Sequence, residues 1–135
     1  MTTRTATLEH QLWDFVSAYD VAFERAAEAH GLSAAQACTL TPLLRGRWTM
    51  RALADELSCD ASNVTQIVGR LEARGLARRE PDPDDGRVRQ VAITPAGRDL
   101  RAAVERSFSF PREALARLEP DEREQLERLL ARMAA

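Results

Sequence analysis

Over residues 61–93 the spacing of apolar side chains changes period once, and that change limits the folds open to this chain. Val64, Ile67, Val68 and Leu71 recur at three- and four-residue intervals, the period of an amphipathic helix. Gly75 stops the run, as glycine does at helix C-termini. Downstream, Val88, Val91 and Ile93 stand among polar residues, and Pro81-Asp82-Pro83-Asp84-Asp85-Gly86 is dense in turn formers. The spacing predicts a helix over 61–74, a strand near 76–80, a tight turn and a returning strand over 88–93.

The flanking segments are helical. Leu8, Leu12, Phe15, Val16, Tyr19, Ala22, Phe23 and Ala26 mark a helix over about 7–30, ended by Gly31. Ser33 can cap a second helix over 34–44, which Pro42 would bend or shorten. Arg45-Gly46-Arg47-Trp48 reads as a connector. Thr49 caps a short third helix with Leu53, Ala54 and Leu57 on its inner face. Ser58-Cys59-Asp60 forms a turn, and Asp60 suits the next N-cap by geometry and by charge. Thr94-Pro95 starts a fifth helix, broken near Pro111, and Glu119-Pro120-Asp121-Glu122 starts a last one with the stripe Leu126, Leu129, Leu130 and Met133. The fold expected is mainly α with a small β-hairpin: a winged helix-turn-helix between N- and C-terminal helices.

The helix 61–74 turns Ser62, Asn63, Thr65, Gln66, Gly69 and Arg70 away from its apolar stripe. A solvated helix face usually carries Glu and Lys. Short amides and hydroxyls suit close approach to base edges in a major groove, and Ser62 and Thr65 can equally bond phosphates. Charge agrees. The chain has 19 basic and 21 acidic residues, net −2, and every basic residue is arginine. Residues 31–98 hold ten basic and eight acidic groups, whereas the segments on either side are net acidic. Arg70, Arg74, Arg78, Arg79, Arg87 and Arg89 form the expected phosphate-facing set, some of them pairing with Glu72, Glu80 or the wing aspartates. Four to six such contacts predict a log–log salt slope of roughly −4 to −5 per subunit.

Other classes find little support. No apolar run approaches a membrane span, and Met1–Thr7 lacks a signal-peptide pattern, so a cytoplasmic protein is expected. Cys38 and Cys59 make no disulfide framework and are read as two buried small residues rather than sensors. His10 and His30 stand about 30 Å apart along one helix, which excludes a shared intrachain metal site. No P-loop, GxGxxG, HExxH or GxSxG occurs, so neither an enzyme nor a resident cofactor or metal is expected.

The run Asp60-Ala61-Ser62-Asn63-Val64-Thr65 resembles the MarR family of bacterial transcription regulators. So do Leu53-Ala54, Arg70-Leu71-Glu72-Ala73-Arg74-Gly75-Leu76 with Arg78-Arg79, Asp82-Pro83-Asp84-Asp85-Gly86-Arg87 and Ile93-Thr94-Pro95-Ala96-Gly97. The continuous block covers about 49–98, and the flanking helices fit the family layout over nearly all of 1–135. The resemblance implies a homodimer, with 7–32 and 98–135 as the helical dimerisation region and 33–97 as the DNA-binding region. It also implies that Arg87 enters a minor groove, oriented by a salt bridge from Asp85. Where the family often has a second basic residue before that arginine, this chain has Gly86, which leaves the wing less positive.

The resulting expectation is a homodimeric, sequence-specific regulator, most simply a repressor, on a pseudopalindromic double-stranded operator with half-site centres about 34 Å apart. Ser62, Asn63, Thr65, Gln66, Arg70, Arg74, Arg87 and Arg89 are the expected DNA-binding residues. The resemblance also implies a small-molecule pocket, for which Trp13, His30, Arg45 and Trp48 are candidates toward an aromatic anion. The competing reading is a winged-helix protein-interaction module without operator binding.

Overall fold

The computed structural model describes residues 2–135, with side chains from residue 7 onward. Among the described residues the elements run α1 (Thr2–Glu28), α2 (Ala34–Leu43), β1 (Trp48–Thr49), α3 (Met50–Glu56), α4 (Ala61–Ala73), β2 (Ala77–Pro81), β3 (Arg89–Ile93), α5 (Pro95–Ser107), α6 (Phe110–Ala116) and α7 (Pro120–Ala134). The helices agree with the sequence pattern to within a few residues. Helix α1 starts before its apolar stripe, because nothing in Thr2–Ala6 breaks a helix.

Three helices end by one device. After α1 the Gly31 amide donates to the Glu28 carbonyl and the Leu32 amide to that of Ala27, at 2.9 and 3.0 Å. After α4, Gly75 and Leu76 repeat the pattern to Glu72 and Leu71, both at 2.9 Å. Each glycine is left-handed, with φ +74° and +73°. After α3 the same closure is made by Ser58, a non-glycine at φ +51°. Starts are equally specific. Ser33 and Gln36 exchange side chain-to-backbone bonds in a capping box before α2. Thr49 Oγ1 accepts from the Ala52 amide before α3. Asp60 takes the extended N-cap conformation before α4, but its carboxylate makes no capping bond.

The hairpin expected from sequence is part of a three-stranded antiparallel sheet ordered β1-β3-β2. Residues Trp48 and Thr49, outside any strand in the sequence pattern, pair with Val91 and Gln90. Across β2 and β3, Arg78 lies opposite Ala92 and Glu80 opposite Gln90. Alternation therefore puts Arg78, Glu80, Gln90 and Ala92 on one face, and Ala77, Arg79, Val91 and Ile93 on the other.

The chain divides into two compact units. One comprises Phe23–Ser107. Its core is Leu40, Leu43, Leu53, Val64, Val68, Leu71, Val91 and Val104, each fully buried. Cys38 and Cys59 do not join it; both are exposed. Helix α2 turns about 100° per residue, which carries Cys38 away from the face that buries Ala37 and Leu40. Cys59 follows the left-handed Ser58 and donates its thiol to the Leu57 carbonyl at 3.3 Å.

The other unit comprises residues up to Ala22 and Phe108–Ala135. An aromatic cluster joins its segments. Phe15 lies 5.4 Å from Phe110, and Tyr19 meets Phe108 edge-on at 5.0 Å. Much of its apolar surface is uncovered: Leu8, Leu12, Trp13, Val16, Leu129, Leu130 and Met133 are all exposed. No helix among the described residues is long and apolar enough to cross a membrane.

Candidate nucleic-acid interface

Helix α4 is anchored by Val64, Val68 and Leu71, and this anchoring leaves Ser62, Asn63, Thr65, Gln66 and Arg70 exposed together, as the sequence pattern predicts. One member has restricted chemistry. The Thr65 hydroxyl donates to the Ala61 carbonyl at 2.8 Å, so towards a base it can only accept a hydrogen bond or offer its methyl group. Ser62, Asn63 and Gln66 have no such internal commitment among the described residues.

The six arginines sort into two groups. Arg70, Arg87 and Arg89 are exposed and hold no side-chain partner among the described residues. The other three are engaged within the protein. Arg74 Nη1 donates to the Gly31 carbonyl at 2.6 Å, so one of its donors braces the end of α4 against the turn after α1, while the side chain stays exposed. Arg79 Nη2 donates to the Thr65 carbonyl at 3.3 Å. Its Nε lies 2.9 Å from a Glu72 carboxylate oxygen, close enough for an ion pair but too poorly aligned for a hydrogen bond. Arg78 pairs with Glu80.

The wing turn is held by its own aspartates. Asp82 Oδ1 accepts from the Asp84 amide at 2.8 Å, and Asp82 Oδ2 accepts from Gln90 Nε2 at 3.2 Å. Asp85 Oδ1 accepts from the Arg87 backbone amide at 3.1 Å. The expected salt bridge between Asp85 and the Arg87 guanidinium is absent among the described residues. Asp85 shapes the turn instead, and the Arg87 side chain stays exposed at the wing.

The residues expected to form a small-molecule pocket are differently placed. Trp13 lies in the terminal unit, while His30, Arg45 and Trp48 lie in the central one. Arg45 packs over the Trp48 ring at 5.8 Å and pairs with Glu56 at 3.3 Å. Trp48 Nε1 donates to the Pro42 carbonyl, and His30 Nε2 bonds Ser107 Oγ. A cavity of about 490 Å³ has other walls, including Thr41, Leu44, Arg98, Arg101, Ala102 and Glu105. Within it Arg101 is buried, donating to Thr41 Oγ1 and to Glu105, both at 3.1 Å, with its guanidinium 5.6 Å from the Phe23 ring centre. Sequence reasoning misses Arg101, whose place in a stretch of alternating charge hides its burial.

A two-helix turn, an outward face of short polar groups and an arginine-bearing wing define the winged helix-turn-helix class. The sequence model of the MarR family matches residues 30–88. The chain is 34% identical to the transcriptional regulator HosA of Escherichia coli, over 62% of this chain and 71% of that protein. It is 32% identical to the uncharacterized HTH-type transcriptional regulator YdgJ of Bacillus subtilis, over 60% of this chain but only 50% of YdgJ. The fold matches that of a cysteine-to-serine mutant of E. coli MarR complexed with operator DNA, with a TM-score of 0.79, 22% identity and coverage of 100% and 99%. BpsR of Bordetella bronchiseptica, whose DNA binding is regulated by 6-hydroxynicotinic acid, matches with a TM-score of 0.74 and 26% identity over 93% of this chain and 91% of BpsR. The chain belongs to the MarR family of transcription regulators.

Proposed function

We propose that this protein is a homodimeric, sequence-specific DNA-binding repressor released by a small anionic ligand. The observation that carries the reading is the exposed face of α4, with Ser62, Asn63 and Gln66 uncommitted, beside a wing whose Arg87 and Arg89 also lack partners among the described residues. In this reading α4 lies in a major groove, where Asn63 and Gln66 read base edges, Ser62 accepts or donates at a base or phosphate, and Arg70 meets phosphate. Arg87 enters the adjacent minor groove, whose negative potential favours a guanidinium.

Dimerisation is supported by the terminal unit. Leu8, Leu12, Trp13, Leu129, Leu130 and Met133 together form more apolar surface than a monomer leaves in water without cause. A second copy would cover it, and the two α4 helices would then address half-sites about one duplex turn apart. Occupying DNA that overlaps a promoter would repress by excluding the polymerase.

The ligand reading rests on the cavity holding Arg101. Apolar walls at Leu44 and Ala102 with Arg98 and Arg101 beside them suit an aromatic carboxylate. BpsR, with its 6-hydroxynicotinic acid, supplies the family precedent. Such a ligand would act by favouring dimers whose α4 spacing does not fit the operator.

The test is a footprint on the DNA flanking the gene, repeated across salt concentrations. A protected pseudopalindrome with steeply salt-dependent affinity is expected. Absence of any salt-dependent binding to that DNA would overturn the reading in favour of a protein-interaction module.

A further inference from the structure

Three arginines that the DNA-reading surface leaves unused converge on one concavity. Arg47 comes from the connector before β1, Arg78 from β2 and Arg98 from the first turns of α5. With Leu43, Gly46 and Ala92 they line a cavity of about 240 Å³. Glu80 is in contact with two of them. Its two oxygens are divided between Arg47 Nε, at 3.2 Å, and Arg78 Nε. Arg98 Nη1 donates to the Leu44 carbonyl at 3.3 Å. Three cations therefore face one anion.

The donor geometry is suited to an oxyanion. Glu80 occupies the Nε edges of Arg47 and Arg78, which leaves their terminal Nη groups to donate elsewhere, and Arg98 retains donors beyond its one carbonyl bond. Glu80 is only 22% exposed, whereas Arg47 and Arg78 are 51% and 57% exposed, so the more buried carboxylate aims two accessible guanidinium groups. Guanidinium groups bind tetrahedral oxyanions through paired hydrogen bonds. The cavity has room for one such anion and several waters, at about 30 Å³ per water. The register fixes its orientation relative to the recognition helix. Arg78 and Ala92 share one sheet face, and Arg79, on the opposite face, reaches Thr65 and Glu72 of α4. Arg78 and Ala92 thus reach the cavity from the sheet face turned away from α4, and Ile93, at the end of β3, completes its lining.

We propose that Arg47, Arg78 and Arg98 form a binding site for a free phosphate-class oxyanion, separate from the DNA-reading surface and from the cavity of Arg101 except for the shared Arg98. Glu80 holds two of the guanidinium groups in place and competes with the anion for them. This inference does not depend on operator binding.

The experiment titrates the full chain with inorganic phosphate at constant ionic strength, balanced with chloride, and follows binding by calorimetry and phosphorus-31 line broadening. Saturable binding is expected in the wild type. R47Q and R78Q should each weaken it by about tenfold, with unchanged far-ultraviolet circular dichroism. E80Q should tighten it, because the competing carboxylate is gone. No saturable phosphate binding, or binding that survives in the R47Q/R78Q double variant, would overturn the proposal. So would a third result: no binding of free phosphate, together with a DNA salt slope lowered by about two in the double variant. That outcome would make the cavity a contact for the duplex backbone.

Discussion

The Arg74 guanidinium reaches across 43 residues to donate to the Gly31 carbonyl oxygen. The C-cap residue of α4 is thereby fastened to the turn that closes α1, at the carbonyl of a left-handed glycine. A sequence pattern places Arg74 among phosphate-binding groups; the structure gives it a bracing bond as well.

R74Q should therefore lower stability more than DNA affinity. A charged donor on an exposed carbonyl is worth about 1 kcal/mol, and chemical denaturation should show a loss of that order. Operator affinity, once the operator is identified, should change by no more than about threefold, with its salt slope intact. A slope reduced by about one, with unchanged stability, would return Arg74 to the DNA surface.

Gly97 has no room for a side chain. A Cβ there would stand 2.1 Å from the Leu76 carbonyl oxygen and 2.8 Å from Ile93 Cγ1. The approach is enforced by Thr94, whose Oγ1 accepts from the Gly97 amide and donates to the Gly75 carbonyl at 2.6 Å, seating the start of α5 on the end of α4. G97A should cost about 3 kcal/mol and lower the melting temperature by roughly 10 °C. A melting temperature unchanged from wild type would show that α5 can shift without loss.

Legibility in the sequence follows the range of the interactions involved. Helices α3 and α4 and the wing turn are readable because their caps, apolar periods and turn residues are local. Strand β1 is not, since two residues carry no periodicity and Trp48 becomes a strand only by pairing with Val91. The α4 face is readable from the period, while the sorting of the arginines is not. Arg70 and Arg74 look alike in sequence, and only Gly31, distant along the chain, separates them. The two cysteines mislead for a related reason: exposure depends on which side of the helix or turn the backbone presents, and a small residue fits either side.

Ser58 adopts φ +51° to close α3 by the device for which Gly31 and Gly75 use glycine. An L-residue in that region costs about 1 kcal/mol relative to glycine, partly offset by glycine's greater freedom when unfolded. S58G should thus raise stability by about 0.5 kcal/mol, visible as a higher denaturation midpoint at unchanged slope. A lower midpoint would mean that the serine side chain contributes something beyond its backbone position.

The uncovered apolar stripe of α7 carries a prediction about assembly. Leu129 and Leu130 are each about half exposed, and charge there would cost little in an isolated chain. The double variant L129E/L130E should keep its helical content yet sediment as a monomer where the wild type sediments as a dimer. It should also lose most DNA affinity, because two half-sites are no longer bound together. A wild type that sediments as a monomer at micromolar concentration would remove the dimer from the proposed function.

Gln66 and Arg87 should fail differently, and the difference tests how recognition is divided between helix and wing. Gln66 is uncharged and exposed on α4 among short hydrogen-bonders, so its contribution should be to base edges. Q66A should cost about 1–3 kcal/mol on the best site, less on sites altered at one base pair, and should leave the salt slope unchanged. Arg87 is a cation held out by a turn that Asp82 and Asp85 build, and those aspartates keep the neighbouring potential low. R87A should therefore weaken all sequences, most of all those with a narrow minor groove beside the half-site, and lower the slope by about one. Affinities of both variants over a panel of single-base operator changes, each at several salt concentrations, separate the two patterns. Equal losses at every site for Q66A would show that α4 positions the protein on the duplex and that sequence is read elsewhere.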